Sequence, residues 1–114
     1  MEEIVKLNDL VFLGDVMPGG ELHYKNDFAS DEIKSYLSSF KYRIATLETA
    51  IGNDFPFDSE KMNGRMNIIY SNNSDISKVI ELNINIVSLA NNHVFDLGVD
   101  GFKNTVEILK KHNI

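Results

Sequence analysis

The sequence has no cysteine, so the chain can form neither a disulfide framework nor a thiolate metal site. A metal ion bound here must therefore be held by oxygen or imidazole. Basic residues are also few, with 11 Lys and Arg against 17 Asp and Glu, and they form no run that could neutralise nucleic-acid phosphates. Composition therefore argues against nucleic acid as a partner.

Long apolar runs are missing as well. The N-terminal stretch "MEEIVKLNDLVFLGD" opens with acidic residues, and its apolar run is too short and too interrupted for a signal peptide or a membrane span. We therefore expect a cytoplasmic location. What the chain does have is 114 residues with 43% hydrophobic content, which is enough to bury the core of one domain over residues 1–114.

Segments with strand character alternate with segments of helical spacing. Strands are predicted at residues 10–17, 42–48, 66–71 and 84–90, and helices at 30–40, 74–82 and 99–112. Ser30 and Ser74 are the predicted N-caps, and Asn83 is predicted to end the second helix in a left-handed conformation. Residues 53–65 are predicted to form a long connection. The alternation predicts an α/β layered fold with a mainly parallel sheet and flanking helices.

Polar residues lie at or directly after the carboxyl ends of three of these strands. They are Asp15 after Gly14, Glu48 after Leu47, and the run from Asn91 to His93 with Asp96 shortly after. Because ligands of open α/β sheets bind outside the carboxyl ends of the strands, we expect these side chains to share one edge. Carboxylate, amide and imidazole groups together suit Mn²⁺, Fe²⁺, Mg²⁺ or Zn²⁺. The pattern predicts a divalent metal site.

Three stretches resemble the bacterial capsule-synthesis or poly-γ-glutamate synthesis proteins called CapA, which have the calcineurin-like metallophosphatase fold. The stretches are "FLGDVM", "IATLETAIG" and "INIVSLANNHVFDLGVDGFKNTVEILKKHNI", and they occur in the order of that family. The resemblance begins at Asp9 and covers about the first half of the family's domain. It implies a layered sandwich of the metallophosphatase type, of which this chain would be the N-terminal part.

The resemblance also implies roles for individual residues. Asp15, Glu48 and Asn92 would be metal ligands, with manganese, iron or zinc as the expected divalent metal. His93 would be catalytic, approaching the oxyanion or leaving group of the substrate. Asp96 would orient His93 or fix its loop, because catalytic imidazoles usually need a partner that holds tautomer and direction.

The chain departs from the family pattern at three places. Thr46 stands where relatives commonly have Asn, residues 18–20 stand where they commonly have an Arg, and their later histidine motif would lie beyond Ile114. Three functions therefore stay open. The chain is a metal-dependent hydrolase acting on a phosphoester or a polymer amide, a non-catalytic capsule-assembly component that contacts other capsule-synthesis proteins, or an inactive half-domain that self-associates through an unfinished sheet edge.

Several of these residues also have purely structural interpretations. Asn91 is predicted to make hydrogen bonds within the turn, and Gly98 to supply a positive φ at the start of the last helix, which Asp96 could help to shape. His23 is predicted to be an exposed loop residue. Turn formation or simple solvation would also account for the two acidic strand ends, Asp15 and Glu48.

Overall fold

The computed structural model describes residues 6–57, 64 and 67–114. Its strands are β1 (Leu10–Val16), β2 (Tyr42–Leu47), β3 (Ala50–Ile51), β4 (Tyr70–Ser71) and β5 (Ile86–Ser88). Its α-helices are α1 (Asp31–Ser38), α2 (Ile76–Glu81) and α3 (Gly98–Lys111). Three 3₁₀ helices complete the order, at Leu7–Asp9, Gly20–Tyr24 and Asn73–Asp75.

The strands form two parallel sheets. The larger has the order β1-β2-β5, and the smaller pairs β3 with β4. Strands therefore alternate with helices around a parallel sheet, which confirms the predicted α/β class. A bulge interrupts β1 between Phe12 and Asp15, where Gly14 has a φ of +82° that only glycine adopts without strain.

One face of the larger sheet carries the core. Residues on alternate positions of β2 and β5 point to it, and the helices that follow these strands cover it, which excludes water from the apolar side chains. The buried cluster consists of Ala45, Leu47, Ile51, Ile76, Val79, Ile84 and Leu109.

The opposite face of this sheet is largely bare within the described ranges. Phe12, Ile44 and Ile86 are in register across the three strands, and Phe12 is 71% exposed. Because in-register residues of parallel strands share a face, these three side chains form an apolar row on the side away from the core. The sheet is therefore covered on one side only by the described residues.

The first two helices differ partly from the predictions. Ser30 caps α1 as predicted, since its Oγ accepts the Ile33 N–H at 3.3 Å. The spacing of the sequence predicts an apolar stripe of Ile33, Tyr36, Leu37 and Phe40, of which Ile33 and Tyr36 are exposed. The predicted cap at Ser74 is wrong, because Ser74 lies inside the 3₁₀ helix Asn73–Asp75. There the Asp75 carboxylate accepts the Asn72 N–H at 2.7 Å, so the helix start is held two residues earlier.

The ends of α2 and α3 follow the predictions more closely. Asn83 has a φ of +55° after α2 and Gly98 a φ of +68° at the start of α3, as expected of these residues. The buried residues of α3 are Gly101, Thr105 and Leu109. The spacing of the sequence predicts Phe102, Val106 and Leu109 on one stripe, so only Leu109 is common to both. Packing against β3 selects this face.

Two predicted segments are shorter in the structure. The strand predicted at residues 84–90 is limited to β5, and that at 66–71 to β4, with residue 66 lying outside the described ranges. Of the predicted long connection, residues 53–57 carry no helix or strand, while 58–63 and 65 lie outside the described ranges. β3 was not predicted. No helix in the described part of the chain combines the length and apolar character needed to cross a bilayer.

Candidate metal centre and histidine site

The three polar strand ends lie side by side at one edge of the larger sheet. Asp15 is in register with Thr46, which is itself in register with Ser88. The Glu48 N–H donates to the Val16 carbonyl at 3.0 Å, so Glu48 directly follows the end of the central strand. Asp15 is exposed and Glu48 is half-buried. The fold thus brings the two carboxylates to the same edge.

Asn91 ties the loop after β5 to this edge. Its side-chain amide donates to the Leu47 carbonyl at 2.8 Å, and its side-chain oxygen accepts the His93 N–H at 2.9 Å. Both hydrogen bonds are structural, which confirms the interpretation of Asn91 as a turn residue. They hold His93 close to the strand end that carries Glu48.

His93 and Asp96 form a buried pair within this loop. The His93 Nδ1 lies 2.6 Å from the Asp96 Oδ2, and that oxygen also accepts the Ile69 N–H at 2.7 Å. Asp96 is fully buried and His93 is 8% exposed. Since a carboxylate only accepts, the pair places the proton of the imidazole on Nδ1. The ring is therefore held in one tautomer and direction, with Nε2 as its other nitrogen.

Asn92 is an exposed residue of the loop. Its side-chain nitrogen lies 3.4 Å from the His93 Nε2. The structure thus places Asn92 directly against the nitrogen of His93 that Asp96 does not contact. The ligand role of Asn92 and the catalytic roles of His93 and Asp96 stay predictions.

The donors at this edge fit a divalent cation by their chemistry. Two carboxylates, an amide oxygen and an imidazole are hard to borderline ligands. Across the described residues, however, no three His, Asp or Glu side chains are grouped closely enough to hold a metal ion. Asp15 is exposed, so its side chain can rotate at little cost. The donor set therefore fits a divalent cation by its chemistry, while the described residues form no preassembled metal cluster.

The structure contains a second histidine–aspartate pair that the sequence did not predict. His23 lies in the 3₁₀ helix Gly20–Tyr24, and its Nδ1 is 2.7 Å from the Oδ1 of buried Asp75. His23 is exposed as predicted, but it lies in this 3₁₀ helix and its side chain is paired with Asp75. The partners are 52 residues apart, and no local pattern indicates such a contact.

These positions match a known family along almost the whole chain. A family model described as bacterial capsule synthesis protein PGA_cap matches residues 9–114. The chain belongs to this family. The match includes all five predicted site residues and the strands and loops that carry them, and it confirms the resemblance noted from the sequence. No curated protein matches the chain in a separate comparison.

Proposed function

We propose that this PGA_cap protein acts in capsule synthesis as a metal-dependent hydrolase, with its site at the carboxyl edge of the larger sheet. The observation that carries the proposal is the buried His93–Asp96 pair, whose atoms lie 2.6 Å apart in a loop beside the strand end of Glu48. A buried imidazole with a fixed tautomer is a frequent component of hydrolytic sites. The hydrogen bond from Asn91 to the Leu47 carbonyl places this pair near the strand end of Glu48, which supports hydrolysis over a purely structural role.

Asp15, Glu48 and Asn92 are the residues that would hold the cation, with manganese, iron or zinc as the expected metal. They present oxygen donors from three neighbouring segments of the sheet edge. When bound, a divalent cation supplies Lewis-acid polarisation of a phosphoryl or carbonyl oxygen. The candidate substrates are a phosphoester and the amide linkage of poly-γ-glutamate.

His93 would be the group that transfers a proton during hydrolysis. With Nδ1 donating to Asp96, Nε2 can accept a proton from the attacking water and then donate it to the leaving group as its bond breaks. The Asp96 carboxylate stabilises the imidazolium that forms in between. Asp96 is itself fixed by the Ile69 N–H, so the ring keeps its direction through the proton transfer.

The test compares His93→Ala with His112→Ala in the complete chain. His112 follows the last residue of α3, away from the sheet edge, and serves as the matched histidine control. Hydrolysis of p-nitrophenyl phosphate and of poly-γ-glutamate is measured with and without Mn²⁺. We expect His93→Ala to lower kcat by about 10²–10⁴-fold, the usual contribution of general acid–base catalysis.

Asp15→Asn is a second test in which loss of activity cannot be attributed to misfolding, because Asp15 is exposed and its replacement leaves the core intact. This variant should lose the Mn²⁺-dependent part of the turnover while circular dichroism stays that of the wild type. Wild-type turnover in both His93→Ala and Asp15→Asn would refute the hydrolase proposal.

A second candidate is a non-catalytic component of the capsule-synthesis assembly. Thr46 favours it, because this central-strand residue is in register with Asp15 at the site and differs from the Asn common in relatives. Under this alternative the chain would co-purify with capsule-synthesis enzymes and show no Mn²⁺-dependent hydrolysis. If Thr46 is the cause of the lost activity, the Thr46→Asn variant should show Mn²⁺-dependent hydrolysis.

A further inference from the structure

A cleft opens beside the end of β1, and none of the five predicted site residues lines it. Its volume is about 550 Å³, and its walls include Tyr24, Tyr70, Asn72, His23 and Asp75. These residues come from the 3₁₀ helix Gly20–Tyr24, from β4 and from the start of the helical segment before α2. Two distant parts of the chain therefore build one concave surface.

The polar side of the cleft is rigid. Asp75 is 3% exposed, and its two oxygens have separate partners, the His23 Nδ1 and the Asn72 N–H, each at 2.7 Å. The His23 ring also packs edge-to-face against Tyr24, with centroids 4.8 Å apart and planes at 89°. The imidazole is thus held from two directions, and its Nε2 has no hydrogen-bond partner among the described residues.

The aromatic side of the cleft is exposed. Tyr24 is 81% and Tyr70 is 45% exposed, although large aromatic side chains are normally buried for most of their area. Tyr70 is supported from behind by Phe57, whose ring centroid is 5.3 Å away. Two accessible tyrosine rings therefore line a wall of a pocket that also offers fixed hydrogen-bonding groups.

Two exposed tyrosine rings together with fixed hydrogen-bonding groups are complementary to the surface of a sugar ring. The C–H groups of a pyranose are apolar and pack on aromatic faces, while its hydroxyl groups both donate and accept hydrogen bonds. The charge of the lining narrows the class of ligand further. Its ionisable carboxyl groups are Glu21 and Asp75, and no Lys or Arg among the described residues lines the cleft. A polyanion such as poly-γ-glutamate would be repelled by these carboxylates.

We propose that this cleft binds a neutral saccharide unit. The rings of Tyr24 and Tyr70 contact its apolar face, and the His23 Nε2 and the Asn72 side chain bind its hydroxyl groups. This goes beyond the proposed hydrolase function, because saccharide binding here requires neither a cation nor turnover. The cleft would let a capsule protein recognise a sugar-containing polymer or its precursor.

The test is an NMR titration of the ¹⁵N-labelled complete chain without added metal. Maltotriose, cellotriose and tri-N-acetylchitotriose serve as neutral probes, and poly-γ-glutamate serves as the anionic probe. We expect at least one neutral trisaccharide to shift the amide signals of Tyr24, Tyr70 and Asn72 with a Kd of about 1 mM. Absence of shifts with all three at about 10 mM, or equal shifts with poly-γ-glutamate, overturns the proposal.

Variants locate the binding surface. Tyr24→Ala should weaken the affinity for the bound trisaccharide about tenfold or more, because it removes one ring face. Tyr36→Ala is the matched control, since Tyr36 is also an exposed tyrosine in contact with another ring but lies on α1. Equal affinity in both variants would refute the assignment. Since hydrolysis is not measured, failure of the hydrolase proposal would leave this result unchanged.

Discussion

At the residue scale, two histidine–aspartate pairs with nearly equal distances have different environments. In the His93–Asp96 pair both side chains are buried, and the partners are three residues apart in one loop. In the His23–Asp75 pair only the carboxylate is buried, and the imidazole lies on the wall of an open cleft. Burial suits the first pair to proton transfer away from bulk water, whereas exposure suits the second to ligand binding.

Asp96→Ala should destabilise the protein strongly. It removes the acceptor of the Ile69 N–H and of the His93 Nδ1, and leaving a buried donor unsatisfied costs about 1–3 kcal/mol. We expect the free energy of unfolding, measured by urea denaturation, to fall by about 3 kcal/mol. Asp100→Asn, at an exposed position of α3, should change it by less than about 0.5 kcal/mol. Similar losses in the two variants would contradict the importance of the buried contacts.

At the element scale, α3 is attached to β3 by a buried hydroxyl. The Thr105 Oγ1 accepts the Ile51 N–H at 2.8 Å and donates to the Gly101 carbonyl at 2.8 Å, while the Asn104 side chain donates to the Ile51 carbonyl at 2.8 Å. Thr105 is fully buried. A helix side chain thus completes the hydrogen bonding of a two-residue strand, which is too short to be stable by itself.

Thr105→Val tests this attachment with little change of volume. The Ile51 N–H would lose its acceptor inside the core, so we expect the free energy of unfolding to fall by about 1–3 kcal/mol. Thr105→Ser keeps the hydroxyl and deletes a methyl group, and it should cost about 1 kcal/mol. If chemical denaturation ranks Ser below Val, the hydroxyl is not what holds α3 on β3.

Close packing at the start of α3 reverses the usual preference for alanine over glycine in helices. A Cβ atom at Gly101 would lie 2.2 Å from the Cβ of buried Leu97, so the backbone would have to shift. Gly101→Ala should therefore lower the free energy of unfolding by about 1–3 kcal/mol, although the helix propensity of alanine favours it by about 1 kcal/mol. Lys103→Ala is the control at an exposed position of the same helix. A stabilised Gly101→Ala in thermal unfolding would show that the contact relaxes freely.

At the scale of the whole molecule, the hydrophobic core and the carboxyl edge of the larger sheet occupy different parts of the described structure. The helices pack on the face that carries Leu47, while the carboxyl edge with Asp15 and Glu48 contributes little to the core. Exchange of the exposed Asp15 should therefore change the stability little. Under the proposed function, a cation that binds only the folded chain stabilises it, so its binding would be measurable as a gain in stability.

Mn²⁺ should raise the midpoint of thermal unfolding of the wild-type chain. At a concentration of about 100 times Kd the gain is about 2.7 kcal/mol, or roughly 10 °C for a domain of this size. Asp15→Asn should lose most of this gain, and Asp9→Asn, at the residue before β1, should keep it. Equal Mn²⁺-induced shifts in all three proteins, measured by differential scanning calorimetry, would refute a role for Asp15 in cation binding.

The sequence by itself determined the α/β class, the larger parallel sheet, and local features that depend on residues a few positions apart. Ser30 as a cap and the positive φ of Asn83 and Gly98 are of this kind, because capping and backbone conformation are set within one helical turn. The shared edge of the polar strand ends could also be predicted, since parallel strands bring their carboxyl ends to one edge.

Only the tertiary structure decided which faces are covered and which distant residues meet. It left Ile33 and Tyr36 exposed on an apparently amphipathic helix, because burial depends on whether another element packs there. The face of α3 with Gly101 and Thr105 packs on the core, and His23 contacts Asp75, which is 52 residues away in the sequence. Such contacts arise from the packing of whole elements, and no local pattern of side chains encodes them.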